Sequence, residues 1–189
     1  MTRVSRSALV HAARDLAQVL LEPLPQRWRH TIGVARHAEE LIDTLDGDDP
    51  DVLLAAAWLH DIGYAPSIQD TGFHPLDGAR HLERTGWPAR LTALVAHHSG
   101  AIHLATARGL EADLDSYPLE VTPLADALTY ADQTTAPNGQ RVTVRERITE
   151  ATERHGPDSA HAAAAPTREP YLHAVADRVT QRLATLPPG

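Results

Sequence analysis

The stretch "LLAAAWLHDIGYAP", residues 53–66, runs seven small or apolar residues directly into a histidine and an aspartate. The unbroken apolar run predicts a buried helix, and Gly63 predicts the end of that helix. Neighbouring residues within a helix point about 100° apart, so His60 and Asp61 can converge on one point only where the helix frays. Burying an aspartate there is costly without a counter-charge. The pair therefore indicates either a cation site or an ordinary solvated helix terminus.

Helical periodicity dominates the rest of the chain, which has no convincing run of alternating β-branched residues. The predicted fold is all-α, a single helical bundle over residues 1–189 in which residues 143–186 pack on the remainder. Helices are predicted at residues 7–21, 25–45, 51–61, 75–85, 88–98, 123–132, 143–155 and 170–186. Loops are predicted at residues 64–73 and 101–118, and a linker-like loop at "GPDSAHAAAAPTREP", residues 156–170.

Composition limits the class of partner and of metal ligand. The formal net charge is −8, and an acidic surface repels both a nucleic-acid backbone and an anionic membrane. All 17 basic residues are arginine, so arginine or a metal must neutralise any bound phosphate. The chain has no cysteine, which leaves His, Asp and Glu as transition-metal ligands. No signal-peptide pattern or membrane-spanning window is present, so a cytoplasmic protein is predicted.

Two further predicted helices carry histidines on or near their apolar faces. In "WRHTIGVARHAEELIDTL", His30 shares a stripe with apolar residues, and His37 lies near the same stripe. A hydrogen-bonded core histidine is the commoner role for either residue, and the phase leaves both open. In "RLTALVAHH", His98 continues the apolar positions, whereas His97 falls on the other side. The phase therefore favours His98 as the interior histidine.

A second carboxylate falls on an apolar helix face. In "PLADALTYADQTT", the phase of Leu124 and Leu128 brings Asp132 inward and turns Asp126 toward solvent. Aspartates are rarely buried unless they are paired. Asp132 is therefore a second candidate ligand at the end of a second apolar helix.

The order and helical setting of His30, His60, Asp61 and Asp132 resemble the HD superfamily of metal-dependent phosphohydrolases. The likeness extends through "RWRHTIGVARHAEEL", "LHDIG" and "YADQTT", about residues 27–135. In that family a helix histidine, the His-Asp pair and a later aspartate bind one divalent metal, so the resemblance selects His30 over His37. It implies an all-α HD-type bundle that hydrolyses phosphate esters or anhydrides through a metal-bound hydroxide.

The chain also resembles the dinuclear members of the family, which add histidine ligands between the pair and the last aspartate. "GFHPLDGARHL" offers His74, and "LVAHHSG" offers His98 with His97 as its rival. The resemblance implies a first metal site of His30, His60, Asp61 and Asp132, and a second site that His74 and His98 complete. Asp61 would bridge the two sites. Iron, manganese, cobalt or nickel suits such ligands, as one or two ions.

Other residues near the motif are candidates for the reaction itself. Arg27 and Arg80 would stabilise phosphoryl oxygens, although a surface salt bridge accounts for Arg80 equally well and is the favoured role for Arg27. Asp77 would donate a proton to the leaving group, orient a ligand histidine, or act as a first-turn helix acid. Tyr64 stands where the family often has lysine after "HDIG", so an arginine must bind phosphate or the substrate differs. The histidines predicted to be solvated are His11, His81, His103, His155, His161 and His173.

The leading interpretation is a phosphohydrolase acting on a nucleotide or a similar small phosphorylated molecule. The alternatives are a mixed-valence di-iron oxygenase, which activity with redox-inert metals would exclude, and a non-catalytic nucleotide-sensing module, against which the intact ligand set argues. The substrate is not identified, because the predicted loops at residues 64–73 and 101–118 shape the pocket. Trp58 and Trp87 would pack in the core or across a homodimer, and the core is the expectation.

Overall fold

The computed structural model describes residues 7–45 and 47–187. The helices are α1 (Ala8–Leu21), α2 (Pro25–Glu40), α3 (Pro50–Leu59), α4 (His74–Arg84), α5 (Ala89–His97), α6 (Ala101–Arg108), α7 (Glu111–Leu114), α8 (Pro123–Gln133), α9 (Val144–His155) and α10 (Ala160–Thr185). Within the described residues no β-strand forms, and the bridge between Thr135 and Arg141 is isolated. The all-α prediction is confirmed. No helix among these residues is long and apolar enough to cross a membrane.

The bundle is built around α3, whose residues 53–59 are all buried. A helix that is apolar on every side must be covered on every side, and α1, α2, α5 and α8 pack against it. Trp58 belongs to this core and stacks with Trp28 at a centroid distance of 5.7 Å. The single-domain prediction also covers residues 1–6, 46 and 188–189, which lie outside the described residues, and it stays a prediction.

The helix α3 ends close to the predicted position, but Gly63 does not act as the predicted helix cap. The helix ends at Leu59, His60 keeps helical angles, and Asp61 leaves the helix with φ −102° and ψ 5°. Gly63 does not adopt a positive φ, so it is not a left-handed helix cap. A Cβ at this position would lie 2.0 Å from the carbonyl oxygen of His74. Gly63 is therefore needed for the close approach of the first turn of α4.

Two predicted boundaries are wrong. The helix predicted to reach residue 45 ends at Glu40, and a 3-10 turn, Ile42–Thr44, follows it. The segment predicted as a loop at residues 101–118 contains α6 and α7. Gly100 and Gly109 adopt φ values of 68° and 69°, and these left-handed turns delimit α6 as a short helix.

The predicted linker at residues 156–170 is also wrong, because α10 begins at Ala160 and continues for 26 residues. The hydroxyl of Ser159 accepts a hydrogen bond from the amide of Ala162 at 3.2 Å and caps the helix. Pro166 and Pro170 lie inside α10, one turn apart on its exposed face. The helix tolerates them there because the carbonyls that lose their amide donors are close to solvent.

The prediction that Asp126 faces solvent is wrong, because α10 covers this side of α8. Asp126 is buried and accepts two hydrogen bonds from Arg178, at 2.9 and 2.6 Å, and one from Arg182 at 2.9 Å. Val175 and Val179 of the same helix are also buried. The ion pairs and the apolar stripe together fix α10 against α8.

Candidate metal centre

The end of α3 turns two adjacent side chains toward the same side. The Nδ1–H of His60 donates to the carbonyl of Ala57 at 2.8 Å, which fixes the ring with Nε2 pointing away from the helix. Because Asp61 has left the helical conformation, its carboxylate turns back, and Oδ2 lies 3.5 Å from Nε2 of His60. Both side chains are buried.

The first group of potential ligands joins three helices. His30 of α2, His60 and Asp132 of α8 each offer one ligand atom, and these atoms lie within 4.8 Å of one another. Nε2 of His30 is 2.9 Å from Oδ1 of Asp132, and Nε2 of His60 is 4.0 Å from the same oxygen. Sequentially distant residues thus present their polar atoms to one buried point.

The second group lies beside the first and consists of Asp61, His74 and His98. His74 is the first residue of α4, and its Nε2 lies 3.3 Å from Oδ1 of Asp61 and 3.2 Å from Nε2 of His98. The other oxygen of Asp61 lies 3.8 Å from Nε2 of His30. The Asp61 carboxylate therefore stands between the two groups.

The orientation of the imidazoles fits a bound metal. Three rings donate Nδ1–H to backbone carbonyls: His30 to Ala136 at 3.2 Å, His60 to Ala57 at 2.8 Å, and His98 to Val95 at 2.7 Å. Such bonds leave Nε2 as the nitrogen that faces the cluster, as in most metal-binding histidines. Nε2 of His60 is buried and has no hydrogen-bond partner among the described residues. Metal–nitrogen distances of about 2.1 Å bring adjacent ligand atoms to about 3 Å. The residues therefore fit a divalent transition metal.

Electrostatics favour the protonation states that metal ligands need. Burial alone raises the pKa of Asp61, but the charges of His60 and Arg27 hold that pKa well below its usual range. Burial also opposes ionisation of Asp132, yet the hydrogen bond and charge of His30 keep its pKa well below the usual value. Burial lowers the pKa of both histidines in the second group. These directions favour an ionised Asp61 beside neutral imidazoles of His74 and His98.

One oxygen of Asp132 is held by neighbours that are not potential ligands. Its Oδ2 accepts hydrogen bonds from the hydroxyl of Ser99 and from the side-chain amide of Gln133, the latter at 2.8 Å. Oδ1 is left to face the imidazoles. Sequence analysis did not identify Ser99, because neither charge nor periodicity distinguishes this residue in "HHSG".

Two alternative histidines lie outside both groups. Nδ1 of His37 lies 3.1 Å from the hydroxyl of Thr134, and burial lowers the pKa of His37 to about 3. The Nε2–H of His97 donates to the carbonyl of Tyr117 at 2.8 Å. The structure thus brings His30 and His98 to the cluster and gives their rivals hydrogen-bonding roles elsewhere.

Arg27 is the cation nearest to the cluster. Its Nη1 donates to Oδ2 of Asp61 at 3.2 Å. Its guanidinium carbon lies 3.8 Å from the ring centroid of Tyr64, and the same ring stacks on His74 at 4.1 Å. Arg27 is therefore held in place by an ion pair and by an aromatic face.

The structure does not bring Asp77 and Arg80 to the cluster. The carboxylate of Asp77 accepts from the amide and hydroxyl of Thr71, at 2.8 and 2.7 Å, and from the following amide at 2.9 Å. Arg80 pairs with Asp70 at 2.9 Å and with Asp113 at 2.6 Å. Neither residue is part of the pocket lining. Asp77 fixes the loop before α4, and Arg80 is a surface ion-pair residue.

A pocket opens above the cluster. Asp61, His74, His98 and Asp132 form part of its lining. The C-terminal helices contribute Arg147, Arg154, His155, His161 and Arg168. Sequence analysis did not assign these five residues to the site, because α9 and α10 have mainly polar sequences and the predicted linker covers the start of α10. His155 is exposed, as predicted, whereas His161 is only partly exposed. Only the packing of α9 and α10 on the bundle reveals that these side chains share a pocket.

Comparison with known families gives one match. The HD domain model matches residues 27–137, a span that contains every residue of the two ligand groups. Comparison with curated proteins and with solved structures gave no match. The matched span covers more than half of the chain, and α9 and α10 lie beyond it. The chain belongs to the HD domain family.

Proposed function

We propose that the protein is a metal-dependent phosphohydrolase that cleaves phosphate esters or anhydrides of a nucleotide or a similar small molecule. The observation that carries this proposal is the position of Asp61, whose two oxygens face two groups of imidazoles at the base of an arginine-lined pocket. Family membership supports the same reaction class, since HD domains are mostly phosphohydrolases. The donor set suits iron, manganese, cobalt or nickel.

In this proposal His30, His60, Asp61 and Asp132 hold the first ion, and Asp61, His74 and His98 hold the second. When bound, the ions supply Lewis-acid activation of water and of the phosphoryl group. The chain itself supplies preorganisation: backbone carbonyls fix three of the imidazoles, and Ser99 and Gln133 fix one aspartate oxygen.

Arg27 is the residue that we assign to the transferred phosphate. Its side chain is 22% exposed and lines the pocket, so part of its guanidinium can donate to equatorial phosphoryl oxygens. Tyr64 occupies the position where the family often has lysine, and Arg27 stacks on that tyrosine. A cation is therefore present at this part of the site although the lysine is not.

The decisive experiment measures phosphate release from nucleoside mono-, di- and triphosphates and from dinucleotides, with manganese- or cobalt-loaded protein. Asp61→Asn keeps the shape of the side chain and removes its charge, so it should abolish release. Asp158→Asn is the matched control, because Asp158 is exposed and outside the pocket lining, and it should leave release unchanged.

Each result that would contradict the proposal points to a different alternative. Absence of release from every substrate by fully metallated protein contradicts the hydrolase. Oxygen consumption by the iron form would then identify the di-iron oxygenase. Nucleotide binding without any product would instead identify a sensing module. Release that survives in Asp61→Asn would place the chemistry outside this cluster.

A further inference from the structure

The pocket wall made by α9 and α10 carries more positive charge than its neighbours neutralise. Arg147 and Arg154 both pair with the same carboxylate, Glu150. Arg168 donates Nε–H to the carbonyl of Ser99 at 3.0 Å, and the described residues provide no ion pair for it. In a protein with a formal net charge of −8, three guanidinium groups thus share one acid.

Arg147 is the most unusual member of this wall. Only 8% of its side chain is exposed, and its Nε is buried without a hydrogen-bond partner among the described residues. An unsatisfied buried donor is costly, and more so when it belongs to a charged group. Because the side chain lines the pocket, its positive charge acts on any anion bound there.

These charges are additional to those that the reaction uses. The two buried aspartates face the proposed ions, and Arg27 pairs with Asp61 at the base of the pocket. Once Glu150 is counted against the three arginines of the wall, two positive charges remain. A phosphate monoester carries about −1.5 to −2 at neutral pH, which matches that excess.

The ring of Tyr64 is not available to stack on a base. Tyr64 is the aromatic residue of the lining other than histidine, and both Arg27 and His74 lie against its ring, at 3.8 and 4.1 Å from the centroid. Two groups at these distances overlap unless they occupy opposite faces, so neither face is free to stack a base. Tyr64 therefore adds no free stacking surface to the positive charge of the pocket wall.

We propose that Arg147, Arg154 and Arg168 form a second anion subsite, and that the substrate carries a second phosphate group in addition to the one that is cleaved. The inference rests on the proposed phosphohydrolase function and deepens it. The second phosphate belongs either to a phosphoanhydride chain or to a separate ester on the same molecule, and both present the same chemistry to the three guanidinium groups.

The test compares three ligands that share one nucleoside: adenosine monophosphate, adenosine diphosphate and adenosine 3′,5′-bisphosphate. Dissociation constants are measured by calorimetry on the metal-loaded protein, with product analysis after each titration. We expect a two-phosphate ligand to bind about tenfold more tightly than the monophosphate, as a charge-assisted contact implies. Tighter binding of adenosine diphosphate would indicate a phosphoanhydride, and tighter binding of adenosine 3′,5′-bisphosphate would indicate a separate ester.

Substitution of single arginines tests whether the affinity advantage of a two-phosphate ligand arises at this subsite. Arg154→Gln changes a side chain that is 34% exposed, so the fold should persist, and it should reduce the advantage to about twofold while leaving monophosphate binding nearly unchanged. Arg168→Gln should act in the same way. The matched control is Arg145→Gln, an exposed arginine of α9 outside the pocket lining, which should retain the full advantage.

Equal affinity for all three ligands, or an advantage that survives in both pocket variants, overturns the inference. These outcomes are independent of turnover. A protein that hydrolyses phosphate esters but shows no two-phosphate advantage refutes the subsite alone. A protein that shows the advantage but releases no phosphate refutes the hydrolase and leaves the subsite.

Discussion

Ser99 donates its hydroxyl hydrogen bond to Oδ2 of Asp132 from a backbone conformation in the left-handed region, with φ 55° and ψ 31°. This conformation costs a non-glycine residue about 1–2 kcal/mol and persists only where the surroundings impose it. The amide of Ser99 donates to Thr129 at 3.1 Å, and its carbonyl accepts from Arg168 at 3.0 Å. Residues of two helices, α8 and α10, thus hold the hydroxyl against a potential metal ligand.

Two substitutions of Ser99 distinguish the effect of its hydroxyl on metal binding from the effect of its strained backbone on stability. Both Ser99→Ala and Ser99→Gly remove the hydrogen bond to Asp132, so both should weaken manganese binding about 10- to 100-fold. Glycine accepts a positive φ, so Ser99→Gly should be more stable than Ser99→Ala by about 1 kcal/mol. Calorimetric metal titration and urea unfolding measure the two effects. Unchanged metal affinity in both variants would show that the hydroxyl does not support a ligand.

The number of bound ions tests the second ligand group. His74→Ala removes a ligand from the second group only, so metal analysis after dialysis should fall from two ions per chain to one. His97→Ala is the control, because His97 is next to His98 but bonds to the carbonyl of Tyr117, and it should keep both ions. Two ions in His74→Ala, or one in His97→Ala, would contradict the assignment.

Alanine at Gly63 should destabilise the protein more than alanine at Gly78, the glycine that faces it across the contact with α4. A Cβ at Gly63 would lie 2.0 Å from a backbone oxygen of α4, so Gly63→Ala should destabilise the protein by at least about 1–3 kcal/mol. It should also weaken metal binding, because His74 must shift. Gly78→Ala meets only contacts of 3.4 Å, and it should be neutral or slightly stabilising inside a helix. Equal stabilities for the two variants in urea unfolding would refute the close-approach argument.

His37 gives the stability of the metal-free protein a defined pH dependence. Burial, aided by the charge of Arg141, lowers the pKa of His37 from 6.5 to about 3. Between these values unfolding takes up a proton, so the free energy of unfolding falls as pH decreases, by up to about 1.4 kcal/mol per pH unit. His37→Gln lacks this contribution and should lose less stability between pH 6.5 and 4.5 than the wild type does.

Urea unfolding of both proteins over this pH range measures the difference, with the exposed His11 replaced by Gln as a control. Parallel pH dependence of the wild type and His37→Gln would show that His37 titrates alike in the folded and unfolded chains. His11→Gln should follow the wild type throughout.

Local pattern was sufficient for much of the fold. The apolar run at residues 53–59 predicted the buried helix, and prolines marked the starts of α2, α3 and α8 within a residue or two. Local pattern failed where a helix boundary depends on contacts with distant parts of the chain. Gly63 suggested a helix cap but serves close packing against α4. Pro166 and Pro170 suggested a linker, because nothing local indicates that both would lie on the exposed face of one long helix.

The sequence by itself determined the helical class, the family and the residues that can act as metal ligands, because helical phase and residue type are local properties. Tertiary structure alone decided that Asp126 is covered and that α9 and α10 bring arginines to the pocket. These positions depend on how α10 packs across α8, and that packing depends on long-range ion pairs and apolar contacts. No window of sequence contains both partners of such a contact.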